Sequence, residues 1–263
     1  MWLYAIILEY VAPFMLITSP ITSYADQIYS IHRTRSSAGF SLDIPLIMLV
    51  ASILKVFYWF GAYYSAALLL QAINMILVQL LLLKVALANR PAPGVKEGIE
   101  HVPFSGQRAD SAALGFRRPY NFWQWKSEKP YWLFLGYMTA TLLAIHVFLP
   151  VISCTEAYID LLGTAGLTVE ALLPLPQIIT NQRARSCRGF RLSVIVAWLL
   201  GDAMKIYYLF STKDLVPLGF KMCATFQSVC DAYLGVQYWM FEHLPRRPVH
   251  GAERGDEKDI RLT

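Results

Sequence analysis

Six polar side chains sit in otherwise apolar stretches and hold most of the chemistry this sequence could do: Lys55, Glu170, Asp202, Lys205, Gln227 and Asp231. Ionisable groups at bilayer depth are costly, so each marks a functional site by default. Asp202 precedes Lys205 by three residues, which on a helix puts both on one face within pairing reach. Two roles fit the group. One is an ion-pair cluster that locks one helix to the next. The other is a polar cavity or groove that a headgroup or solute enters. Glu170 lies seven residues before Gln177, two turns along the same face, and suits either a proton-linked carboxylate or a lumenal interface residue. Gln71, Asn74, Gln79 and Gln237 suit interhelical hydrogen bonds, and His146 an interfacial position. The sequence has no Gly-rich phosphate loop, no Ser-His-Asp arrangement and no metal-ligand spacing. An enzyme, an ATP-driven pump, a metal and a cofactor therefore find no support.

The elements that must hold these groups follow from composition. Of 263 residues 56% are apolar and 16% charged, where a soluble domain carries about 25% charge to solvate its surface. The apolar residues lie in runs of roughly 18 or more, enough to cross the hydrocarbon as helix. The runs are continuous rather than alternating, which excludes a barrel. The expected spans are 3–31, 42–61, 67–89, 131–153, 160–182, 192–211 and 218–241. Pro13 and Pro20 predict a kinked or broken first span, and Pro174 and Pro176 a bend in the fifth.

Loop charge sets the orientation. His32, Arg33 and Arg35 follow span 1, seven basic residues from Arg90 to Lys129 follow span 3, and Arg183, Arg185, Arg188 and Arg191 follow span 5. The intervening loops are neutral or weakly charged. By the positive-inside rule the N-terminus is expected in the lumen and the C-terminus in the cytosol. The net charge of +5 is then mostly topology. Four cysteines show no disulfide framework.

A shift of 150 residues lays 27–60 on 177–210 without a gap. Gln27/Gln177, Arg33/Arg183, Gly39/Gly189, Phe40/Phe190, Lys55/Lys205 and Tyr58/Tyr208 coincide. Many of the matches are polar or glycine, so shared hydrophobicity does not set the register. Each copy reads as a helix end, a basic turn closing on Gly-Phe, and a new helix; the glycine suits a positive φ. Two parallel repeats need an odd crossing between them, which span 4 supplies.

Pro176-Gln177 with Asn181-Gln182-Arg183 and Gly189-Phe190 resembles the motif of the PQ-loop repeat family, which shares its fold with the SWEET sugar transporters. In the first copy Asp26-Gln27 stands where the second has Pro176-Gln177. Phe122 to Trp125, Glu170 to Gln177, Trp198 with Asp202 and Lys205, and Gln227 with Asp231 are most similar to the subgroup of PQ-loop repeat-containing protein 1 and its fungal relatives. The resemblance implies phospholipid scrambling in Golgi and endosomal membranes, opposing P4-type flippases. It also implies hinges at Pro176 and Gln177 and at Asp26 and Gln27.

The expected fold is thus an all-α integral membrane protein, with seven transmembrane helices as two parallel three-helix bundles joined by a linking helix. Its parts are a first bundle over 1–89, a cytosolic linker over 90–130, the linking helix at 131–153, a second bundle over 154–241 and a cytosolic tail over 242–263. The linker is expected to be disordered near 91–116 and to form an interfacial aromatic helix near 120–132. Three functions fit: an ATP-independent scramblase whose path uses the six residues above, a proton-coupled or facilitative amino-acid or sugar transporter, and a non-transporting receptor or scaffold. Membrane phospholipids are the expected partners, no nucleic acid is, and a homodimer is compatible with the fold.

Overall fold

The computed structural model describes residues 10–37, 42–90, 123, 125, 127–184 and 192–243; for 180, 183, 184, 192–194, 197, 242 and 243 only the backbone is described. The 91–116 linker segment, the tail beyond Pro248 and both Gly-Phe turns lie outside them. The described residues are helical with short connections: α1 Ala12–Thr34, α2 Asp43–Ala62, α3 Ala66–Ala88, α4 Lys129–Phe148, α5 Pro150–Ser153, α6 Glu156–Ala171, α7 Pro174–Ala184, α8 Leu192–Ser211 and α9 Leu218–His243.

Among the described residues, four segments are long and apolar enough to cross a bilayer: Asp43–Ala62, Ala66–Ala88, Lys129–Phe148 and Glu156–Ile179. The chain is a multi-pass membrane protein. Large apolar side chains such as Leu77, Tyr137, Phe148, Val151 and Trp239 are exposed on the outer surface, as lipid-facing residues must be. The other long helices, α1, α8 and α9, hold 23, 20 and 26 residues and carry many of the polar groups.

Prolines place the interruptions. Pro13 falls in the first turn of α1, where a missing N–H costs nothing. Pro20 sits inside α1, yet the helix is not broken there. A proline at 20 cannot donate to the Leu16 carbonyl; Ser19 Oγ donates to it instead, at 2.8 Å. The expected fourth span, by contrast, ends at Phe148, and Pro150 opens the separate α5. The expected fifth span divides at 172–173, just before Pro174, into α6 and α7. The described left-handed turn after α1 is at Arg35, with φ 51°.

Helix packing is ordered. α3 lies against both α1 and α2; α9 lies against α8, α6 and α7. These groups meet where α2 packs on α6 and α1 on α8, while α4 borders α2. Close approach of α2 and α6 rests on two glycines. A Cβ at Gly166 would stand 3.1 Å from both the Ala51 carbonyl oxygen and Leu54 Cβ, and one at Gly163 would stand 2.7 Å from the Tyr58 ring. Absent side chains let helix backbones approach. That seam carries Glu170, one turn beyond Gly166, onto the face of α2 that bears Lys55.

Candidate functional site

At the centre of the molecule Glu170 of α6 accepts from two lysines. Lys55 of α2 binds its Oε2, and Lys205 of α8 approaches Oε1 at 3.4 Å. Lys55 and Glu170 are 5% and 7% exposed, so the pair is shut off from the surface. Removing charged groups from water costs several kcal/mol each, and only a closely made, shared contact offsets it. A bidentate carboxylate between two ammonium groups is such a contact.

Lys205 reaches across to Glu170 and also attracts Asp202, three residues before it on α8, with Asp231 of α9 beside them.

Gln227 joins them. With Gln71, Phe220 and Cys223 it lines a cavity bordered by Lys55, Glu170 and Lys205. The cavity has room for about one water, some 10 Å³. Gln71, expected only as an interhelical bridge, is therefore part of the site, and it donates to Ser19 Oγ at 3.4 Å. Asn74 does bridge helices, donating to the Ile17 carbonyl at 2.9 Å. Gln237 bridges α9 to α7 through the Ile178 carbonyl at 3.1 Å and Gln182 Oε1 at 3.2 Å. Gln79 is fully buried and donates to Met75 Sδ, at 3.6 Å.

The four hinge residues differ in setting. Pro176 and Gln177 lie in the first turn of α7, directly after the break, and Gln177 Nε2 donates to Asn181 Oδ1 at 2.8 Å. Asp26 and Gln27 lie inside uninterrupted α1, Asp26 on its exposed face. They are not gathered with the lysine–glutamate cluster.

Two further clusters had no clear sequence signal. Ser65 Oγ lies 2.6 Å from the Tyr208 hydroxyl and donates to Asp214 Oδ2 at 2.8 Å, and Tyr208 donates to the same oxygen at 3.0 Å. Ser65 N–H also donates to the Leu215 carbonyl at 3.0 Å, so the α2–α3 turn is tied to the α8–α9 connection. At the other end, Trp123 is 1% exposed and donates Nε1–H to the Leu42 carbonyl at 2.7 Å. Tyr131 donates to the Trp123 carbonyl at 3.1 Å, and Arg90 to the Trp125 carbonyl at 2.8 Å. In the stretch expected as an interfacial helix, 123, 125, 127 and 128 are not helical, Lys129 to Trp132 form the first turn of α4, and Trp123 is buried rather than spread at the headgroups. Its indole satisfies a helix-end carbonyl better in the interior than water would at the surface. His146 packs against the rings of Phe57, Phe60 and Tyr158 at 5.2–5.8 Å, in keeping with a structural role.

Comparison with known proteins adds two findings. The family model described as PQ loop repeat matches residues 17–68 and again 158–218. The chain is also 30% identical over 290 aligned positions to a Saccharomyces cerevisiae protein named Scramblase ANY1, covering 90% of this chain and 71% of that relative.

Proposed function

The chain belongs to the PQ-loop repeat family, and from that premise we propose that it is an ATP-independent scramblase moving phospholipids between leaflets. The observation that carries this reading is the 30% identity, across nine-tenths of the chain, to a protein named as a scramblase. Membrane phospholipids are its substrates, Golgi, trans-Golgi and endosomal membranes its location, and its effect opposes P4-type flippases.

The architecture we assign is seven spans in a 3+1+3 order: α1–α3, then α4 with α5 as the linking span, then α6 with α7 as one span followed by α8 and α9. Two packing relations support it. Each trio places its third helix between the other two, and the first helix of one trio meets the second of the other in both directions. The N-terminus is lumenal and the C-terminus cytosolic on this reading. The path residues are Lys55, Glu170, Asp202, Lys205, Gln227 and Asp231, whose charges offset headgroup desolvation without chemistry on the lipid. Pro176 and Gln177 provide the flexible point at the α6–α7 break.

A solute transporter is the second reading, favoured by the position of the cavity between the two trios. Its room for one water argues against an amino acid or sugar in this conformation. Purified protein in liposomes with a fluorescent phospholipid, bleached by dithionite without ATP, tests the proposal. Bleaching past the outer-leaflet half supports scrambling. Bleaching that halts there, beside amino-acid uptake in the same vesicles, replaces it with transport.

A further inference from the structure

Ser19, Thr22, Ser23, Asp26, Ser30 and Arg33 recur along α1 at steps of one, three and four, so they occupy about 100° of its circumference. All but half-buried Ser19 are exposed, while Leu16, Pro20 and Ile31 on the other side are buried. The strip covers roughly 21 Å at 1.5 Å per residue, against ~30 Å of hydrocarbon. A polar face of that length suits a polar headgroup. Beside it on the same exposed surface lie Phe14, Ile21 and Tyr29, an apolar flank.

The strip leads inward. Its inner end, Ser19, accepts from Gln71, and Gln71 lines the cavity of Lys55, Glu170 and Lys205. Ser19 and Thr22 donate their hydroxyl hydrogens to the Leu16 and Ser19 carbonyls at 2.8 and 3.0 Å. Those donors are satisfied without water, so the strip can border lipid, while the hydroxyl oxygens can still accept. The charges at its outer half complement a zwitterion: the Asp26 carboxylate suits an ammonium, and the Arg33 guanidinium, two turns on, suits a phosphodiester.

We propose that this face of α1 is the track on which a zwitterionic glycerophospholipid headgroup travels between the membrane surface at Arg33 and the buried lysine–glutamate cluster, its acyl chains lying on the Phe14–Ile21–Tyr29 flank. The track rests on the scramblase reading and supplies its route. It also gives the exposed Asp26 of the first repeat a role that a hinge does not require.

The test compares wild type, Ser23→Trp, Asp26→Leu and Leu143→Trp in phosphatidylcholine vesicles carrying fluorescent phosphatidylcholine. Ser23→Trp blocks the strip, and Leu143→Trp puts the same residue on the exposed surface of α4, which does not pack on α1. Scrambling should slow about tenfold or more in Ser23→Trp and several-fold in Asp26→Leu, and stay within about twofold in Leu143→Trp, a factor of ten being 1.4 kcal/mol of barrier. A wild type that does not scramble sinks the scramblase reading and the track with it. A wild type that scrambles, with both strip variants equally fast, overturns the track alone. If tryptophan prevents folding, Ser23→Cys in a Cys154→Ser background is reconstituted first and then modified with a bulky maleimide. Slowing on modification supports the track, and an unchanged rate overturns it.

Discussion

Glu170 stands between two ammonium groups that the 150-residue register makes equivalent, Lys55 and Lys205. Glu170→Gln leaves both lysines buried without their counter-charge. The expected loss is about 3–5 kcal/mol of stability, read as a lower unfolding midpoint in detergent. Adding Lys205→Met should recover part of it; an unchanged midpoint in the single variant would show that the cluster does not stabilise the fold. Asp202→Asn keeps a polar group beside Lys205 and Asp231, whereas Asp202→Ala removes it. Scrambling should therefore survive Asp202→Asn better than Asp202→Ala, and equal loss would show that the path requires the charge of Asp202. The charged members of this cluster were legible in the sequence because charged residues in apolar runs are conspicuous. The Lys55–Glu170 pairing was not, because its members are 115 residues apart and are joined only by which elements meet.

Helices were legible to the extent that prolines and apolar runs announce them. Pro150 and Pro174 mark the breaks before α5 and α7. Pro20 did not break α1, because a neighbouring serine hydroxyl takes the carbonyl the proline leaves. The α2–α6 seam was hidden, since Gly163 and Gly166 look unremarkable until a second helix lies against them. Gly166→Leu should force α6 from α2 and draw Glu170 off Lys55. Stability should fall by about 1–3 kcal/mol or more, as overpacking does, and scrambling should fall with it. Full stability and full activity in that variant would contradict the close seam. The Ser65–Tyr208–Asp214 trio was equally hidden, because its members are 143 and 149 residues from Ser65 and join two ordinary turns. Asp214→Ala removes an acceptor shared by two hydroxyls. It should cost about 1–2 kcal/mol in the same unfolding measurement, and no shift would mean the tie contributes nothing.

For the whole molecule, composition established the membrane class and the repeat established that the chain contains two related halves, matched separately by one family model. What composition could not supply is the side on which lipid is met. The polar strip of α1 became visible only when burial separated its exposed flank from the face packed on α3 and α8. The central claim is that this fold lowers the barrier for a headgroup to cross. Dithionite bleaching of proteoliposomes, at a protein density near one copy per vesicle and with no nucleotide present, measures that crossing directly. Fluorescence should fall well below the half that outer-leaflet lipid accounts for, in proportion to the fraction of vesicles holding protein. A plateau at the value of protein-free vesicles, with folded protein verified in the same membranes, would contradict it.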